Sequence, residues 1–415
     1  MNRRLVGALV AMATVQSAIY LARPMTSYRL LALGASGRTV GLVTAAFAVL
    51  PLVLAIPLGR LSDRGRAGPL LTFGCALVAG ACALLGVAGD VGTVTAATAL
   101  LGVGHLAIAL AVQELIARGS KSGQHDRQFA LMTAVVTIGQ LVGPLVGGLV
   151  LSDRGRTPLA AATSHALFIA AVLAGAATAT AALVRSRGAG RGRTHHVHAS
   201  LDSSTIRGIA GTRGVPTAMF ASIASLASAE IFTAYLPVIG QQKGIDPGVV
   251  GALLALRAAS SITTRIGMTR LVRRVGRLRV ITLAAAISAA SISAIPLTSN
   301  DALLAALCVC LGFGLGFAQP LSMTMVVELV PRPAWGTALA IRLTGNRLGQ
   351  VATPAAAGLI AGVRLAGVFW LLGGMLVAAG LATQRFASRY GHEAPDHTAA
   401  EDDLLAVSSD PEGVP

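Results

Sequence analysis

Charge is what this sequence has least of. Asp, Glu, Lys and Arg make up 12% of its 415 residues, against about a quarter in soluble domains. That scarcity excludes a water-soluble globular protein. Aromatic residues are also few, at 4%, which argues against a large cavity walled by aromatic rings. The four cysteines, Cys75, Cys82, Cys308 and Cys310, all fall in apolar stretches. Cys308 and Cys310 have C-x-C spacing, but no His or acid lies close in sequence, so neither zinc nor a disulfide is implied. No His/Asp/Glu metal cluster and no nucleophile–base pair stands out, so no cofactor or metal is expected. Outside the apolar stretches nothing is long enough to bury a core of its own, which excludes a soluble catalytic domain.

What is abundant is uninterrupted apolar sequence. Hydrophobic residues reach 54% and the mean hydropathy is +0.72. A run of ~20 apolar residues crosses the ~30 Å hydrocarbon core as a helix. Twelve such runs are predicted: 5–24, 39–58, 69–89, 92–116, 129–150, 160–183, 214–240, 248–268, 279–299, 301–327, 336–361 and 364–386. The first follows Arg3 and Arg4 like a signal peptide, but it is too long for one and more spans come after it. It is read as a retained first helix.

The net charge of +16 does not point to nucleic acid, because of where it sits. With a cytoplasmic N-terminus, most basic residues fall in cytoplasmic segments, as the positive-inside rule requires. The clusters are Arg60/Arg64/Arg66, Arg118/Lys121/Arg127, Arg185 to Arg213, and Arg265 to Arg279. Basic content therefore encodes orientation beside anionic headgroups, and both termini are expected in the cytoplasm of a cell with this protein in its inner membrane.

The chain also repeats itself at an offset of about 210 residues. Leu101-Gly102-x-Gly104 recurs as Leu311-Gly312-x-Gly314. Gly139-Gln140, Pro144 and Gly148-Leu149 recur as Gly349-Gln350, Pro354 and Gly358-Leu359. Gly41 maps onto Gly251, Arg60-Leu61 onto Arg270-Leu271, and Glu114 to Arg118 onto Glu328 to Arg332 with a four-residue slip. An all-α membrane protein follows, with twelve transmembrane helices in two six-helix parallel repeats. The expected units are a first half at 1–184, a basic cytoplasmic connector at 185–213, a second half at 214–389 and an acidic, disordered tail at 390–415. His195, His196 and His198 in the connector are read as part of a solvated loop.

These residues resemble the major facilitator superfamily over the whole membrane portion. That family carries a Gly-x-Leu-x-Asp-Arg-x-Gly-Arg loop after its second helix. Gly59 to Arg64 match the first six positions, and Gly65-Arg66 follow with one spacer missing. The same Leu-Ser-Asp-Arg-Gly-Arg string recurs at 151–156, so its position after the second span distinguishes the copy at 61–66. The resemblance implies a conformational latch at Gly59, Asp63, Arg64 and Arg66, with Glu114, Arg118, Glu328 and Arg332 as its charged partners at helix ends. Gly139, Gly143, Pro144, Gly147 and Gly148 on the fifth span resemble the signature of the family's antiporter branch, which includes drug–proton exporters. Pro144 removes a backbone hydrogen bond, and the glycines leave a face for close helix approach. The family's arginine near the start of the fourth helix is missing, and His105 lies near that region instead.

Ionisable groups at bilayer depth are costly and therefore candidates for function. They are Glu230 on the seventh span, Arg257 on the eighth, Arg342 and Arg347 with Asn346 on the eleventh, His105 on the fourth, and Arg23 near the outer end of the first. Gln16, Gln113 and Gln319 are candidate substrate contacts. Burial disfavours the charged form of a carboxylate, which suits the lone acid Glu230 to carrying a proton. His105 is of the residue type that titrates near neutrality. An ion pair that only holds the second half together is the plainer reading of the arginines. The expected function is a proton-coupled exporter of small amphipathic molecules, working as a monomer in the bilayer. The alternatives are uptake or exchange of an anionic metabolite, motivated by three buried arginines against one buried glutamate, and, remotely, a membrane-embedded enzyme or non-transporting sensor.

Overall fold

A computed structural model describes residues 3–62, 66–119, 125–152, 158–186, 208, 211–330 and 335–390. Twelve long helices account for nearly all of them: α1 Arg3–Ala32, α2 Gly37–Leu61, α3 Ala67–Val87, α4 Val91–Gly119, α5 His125–Leu151, α6 Leu159–Ser186, α7 Val215–Gln242, α8 Pro247–Val275, α9 Arg277–Ala294, α10 Asp301–Glu328, α11 Trp335–Ala361 and α12 Leu365–Tyr390. A 3-10 turn, Ile295–Leu297, ends the α9 segment. Eleven of these helices are long and apolar enough to cross a membrane. The exception is α11, whose 27 residues reach ~40 Å but include Arg342, Asn346, Arg347 and Gln350. Most of the 185–213 connector (187–207 and 209–210), the latch residues Asp63 and Arg64, Arg332, and the tail from 391 lie outside the described residues.

The first half packs α1 against α4, α5 and α6, with α3 between α4 and α6 and α2 on α4. The second half repeats the pattern: α7 lies against α10, α11 and α12, α9 between α10 and α12, and α8 on α10. The repeated Leu-Gly-x-Gly motif shows why. A Cβ on Gly102 would collide with the Phe47 carbonyl of α2, and one on Gly312 with the Arg257 carbonyl of α8. Gly104 and Gly314 do the same for α3 and α9. The glycines remove side chains where helix backbones must touch.

The turns repeat as well. Gly34 and Gly244 adopt φ of 73° and 68°, the left-handed conformation that ends a helix without strain only for glycine. In each turn the next residue closes the last helical turn: Ala35 N–H donates to Leu30 O and Ile245 N–H to Gly240 O, both at 2.9 Å. The following helices start on Ser36, whose side chain accepts from Thr39 N–H, and Asp246, which accepts from Gly248 N–H.

One boundary departs from expectation. The apolar run ends at residue 24, which puts Arg23 near the outer end of the first span; α1 instead continues through Pro24 to Ala32. Arg23 therefore sits well inside the bundle, and Arg29, beyond the expected end, is satisfied there too. Arg29 donates to Ala88 O at 2.7 and 2.9 Å, to Ala160 O at 2.7 Å and to the Ser164 hydroxyl at 2.9 Å. Hydropathy registers the charge and not the partners, so it truncates the helix.

Candidate functional site

Gln16, Tyr20 and Arg23 follow one another at four- and three-residue steps on α1, so they share a face. Gln16 is buried and its amide nitrogen lies 3.4 Å from His105 Nε2 of α4. Gln140 of α5 donates to the Tyr20 hydroxyl at 2.9 Å. The Arg23 guanidinium lies 4.7 Å from the centroid of the Phe47 ring of α2 and forms an ion pair with Glu230 of α7. The Phe47 ring is 5.7 Å from that of His105. Five helices thus converge on one polar centre. Glu230 is held by a cation from the opposite half.

The second half contributes a strong positive excess. Arg257 of α8 is 6% exposed, lies 6.0 Å from the Phe232 ring centroid, and has no hydrogen-bond partner for its Nε. It interacts electrostatically with Tyr20, Glu230 and Arg23. Arg347 of α11 donates to Gln350 Oε1 at 3.0 Å and interacts with Glu230 and His105. Nearby, Arg342 donates to Gln319 Oε1 at 2.7 Å, to Gln319 O at 3.1 Å and to the Ser322 hydroxyl at 3.2 Å. The Ser222 hydroxyl donates to Asn346 Oδ1 at 2.9 Å, and Gln319 Nε2 donates to Ser222 O at 2.8 Å and to the Ser225 hydroxyl at 3.1 Å. Among the described residues no acid pairs with Arg257, Arg342 or Arg347. Among the described residues only one acid, Glu230, falls in the middle of a helix.

Above this centre the two halves are closed against each other. The far end of the bundle, opposite the described termini, carries two glycine seams. A Cβ on Gly41 of α2 would strike Gly358 of α11. One on Gly148 of α5 would lie 2.9 Å from Gly251 Cα of α8 and 2.9 Å from Pro247 O. Because Gly41 repeats as Gly251 and Gly148 as Gly358, the two seams are copies of one another. Tyr235 of α7 adds a hydrogen bond to Gly37 O of α2 at 2.9 Å. A small cavity lined by Arg23, Thr26, Ser27, Thr44, Phe47, Thr98 and Ala234 lies between α1, α2, α4 and α7.

The other candidates are spread more widely. Gly139 and Gly143 seat α5 on Gln16, Ser17 and Tyr20 of α1, and Gly147 faces Met25; only Gly148 and the Pro144 carbonyl reach α8. Gln113 is exposed and stands about two turns from His105 along α4. Glu328 pairs with Arg277 of α9, within the second half. Gly59 has open space around it and Arg66 is exposed. Glu114 is half-buried, and the side chain of Arg118 lies outside the described residues.

Tyr20, Phe47 and Phe232 were missed from sequence. The repeat contained a signal for the first two: at the same offset Tyr20 falls on Glu230, Phe47 on Arg257 and Gln140 on Gln350. The site is thus the overlay of one ancestral face on its own copy, with different chemistry at each pair. Lys243 plays a part in the second half like that of Arg29 in the first. Its ammonium donates to Pro296 O at 2.8 Å and to Thr298 O, as Arg29 does to Ala88 O, and burial lowers its pKa from the ordinary lysine value.

Twelve helices in two like halves, shut at one end over a buried polar centre, make the two-repeat architecture of a membrane transporter. The sequence model of the Major Facilitator Superfamily matches residues 5–212 and 218–411, and the chain belongs to that family. No curated protein matches the sequence. Among solved structures, the nucleoside transporter NupG superposes with a TM-score of 0.71 at 13% identity, over 93% of this chain and 99% of that one. A POT family transporter in complex with 5-aminolevulinic acid gives 0.73 at 13%, over 94% and 97%. A bacterial homolog of the human lysosomal transporter Spinster, inward-facing and unoccupied, gives 0.66 at 14%, over 94% and 97%. At such identities the likeness is one of fold.

Proposed function

We propose that this transporter exports small amphipathic molecules across the inner membrane in exchange for protons. The observation that carries this reading is the Arg23–Glu230 ion pair, which joins α1 of one half to α7 of the other. Among the described residues Glu230 is also the only acid at that depth. With the carboxylate charged, the pair holds the far side shut. Opening the far side separates α1 from α7 and exposes Glu230 to protons there. Protonation in that state removes the charge Arg23 needs, and the pair re-forms only when the proton leaves on the other side. One proton is thereby tied to each cycle. The near end, beside the basic clusters, is the cytoplasmic one; the latch sequence at 59–66 and the helix-end acids bias the reverse closure.

Everted vesicles holding a pH gradient test this. A transported amphipathic solute discharges the gradient through the wild-type protein and not through Glu230→Gln, while the variant retains solute counterflow. Equal discharge by Glu230→Gln rules out Glu230 as the proton carrier.

A further inference from the structure

We infer that the molecule carried by this protein is an organic anion whose carboxylate or phosphate group docks between Arg257 and Arg347. The inference rests on the transporter reading for the word carried, and on charge and geometry for the rest. Arg23, Arg257 and Arg347 surround a single acid, Glu230, and Arg23 already takes that acid's charge. Of the three, Arg257 and Arg347 remain at mid-bundle depth without an acid of their own among the described residues. Charges there are tolerated when something neutralises them, and an uncompensated buried charge strongly destabilises its surroundings.

The remaining arginines divide by what they touch. Arg342 gives three hydrogen bonds to Gln319 and Ser322 and braces α10 against α11. Arg257 is 6% exposed with an unpartnered Nε; the Phe232 ring lies 6.0 Å away, and the acid within electrostatic range, Glu230, is already paired with Arg23. Arg347 makes one bond, to Gln350 on its own helix. A guanidinium offers paired N–H donors to carboxylate or phosphate oxygens, so these two arginines supply an anion seat. The Phe232 ring, 6.0 Å from the Arg257 guanidinium, puts apolar surface beside it, which suits an amphipathic acid better than an inorganic ion. Among the described residues no other acid lies at that depth to fill the seat instead.

Thermal unfolding of the purified full-length protein with matched probes tests the proposal. The probes are 4-phenylbutyrate, phenethyl phosphate, 4-phenylbutanamide and 4-phenylbutylamine. One or both anions are expected to raise the melting temperature saturably, with amide and amine inert; which anion does so tells carboxylate from phosphate. Arg257→Gln and Arg347→Gln each weaken that effect about tenfold or more, and Arg257→Lys restores part of it. Stabilisation by the amine or amide, no effect of either anion, or unchanged affinity in both glutamine variants overturns the proposal. Should a variant fail to fold, the wild-type comparison of acid with amine still decides. Failure of proton coupling would appear separately, as gradient discharge through Glu230→Gln with anion binding intact.

Discussion

Gly148→Ala probes the far-end seam with the smallest possible change. The added Cβ lies 2.9 Å from Gly251 Cα and 2.9 Å from Pro247 O, where carbon atoms prefer about 3.5–4.0 Å. Both obstacles are backbone, so no side chain can swing aside. Overpacking of this kind costs about 1–3 kcal/mol, and it applies only to the conformer closed at the far end. Alanine also gains up to about 1 kcal/mol of helix propensity over glycine, but in both conformers, so that gain cancels from their ratio. The net shift favours the far-open conformer by about 5–150-fold. Spin labels at Ser36 and Val363, both exposed in far-end turns of opposite halves, report it across the other seam. In double electron–electron resonance the variant gains a longer-distance population that the wild type lacks. An unchanged distance distribution in a stably folded variant refutes the rigid-body reading of the seams.

Other expectations follow from the same geometry. Tyr235→Phe removes one hydrogen bond from the closed far end and shifts the same equilibrium in the same direction by about 0.5–1.5 kcal/mol, read by the same label pair. Arg29→Gln leaves carbonyls of Ala88 and Ala160 without a cationic donor, costing about 1.5–3 kcal/mol, and lowers the melting temperature without changing the anion selectivity of the site. Reporter fusions or cysteine labelling at residue 200 and after 390 place both on the cytoplasmic side; labelling from the periplasm at either point contradicts the twelve-helix orientation. Asp63→Asn impairs transport with normal membrane insertion, and wild-type rates across substrate concentrations count against the latch.

The sequence carried the architecture because membrane helices are written as long apolar runs and because the chain repeats. It placed α11, which carries Arg342, Asn346, Arg347 and Gln350, both as the run 336–361 and as the copy of α5. The pairing of Gly41 with Gly358 and Gly148 with Gly251 was not legible, since the repeat aligns each glycine with its copy and not with its contact. For Glu230 the sequence offered two partners, Arg23 and Arg257, and which of them pairs with it was not legible. Arg23 belongs to a helix some 200 residues away, and the adjacent Pro24 mimicked a helix end. Side chains such as Tyr20 and Phe47 gave no signal of their own because aromatic residues in apolar runs look like core.

The most direct test of the central claim needs no substrate. The Ser36–Val363 spin-label distance is measured while pH is lowered, in the wild type and in Glu230→Gln. The account predicts that acidification lengthens the wild-type distance as Glu230 is protonated and released from Arg23, and that the variant is already long and insensitive to pH. A wild-type distance that does not respond to pH, or a variant that titrates like the wild type, contradicts it.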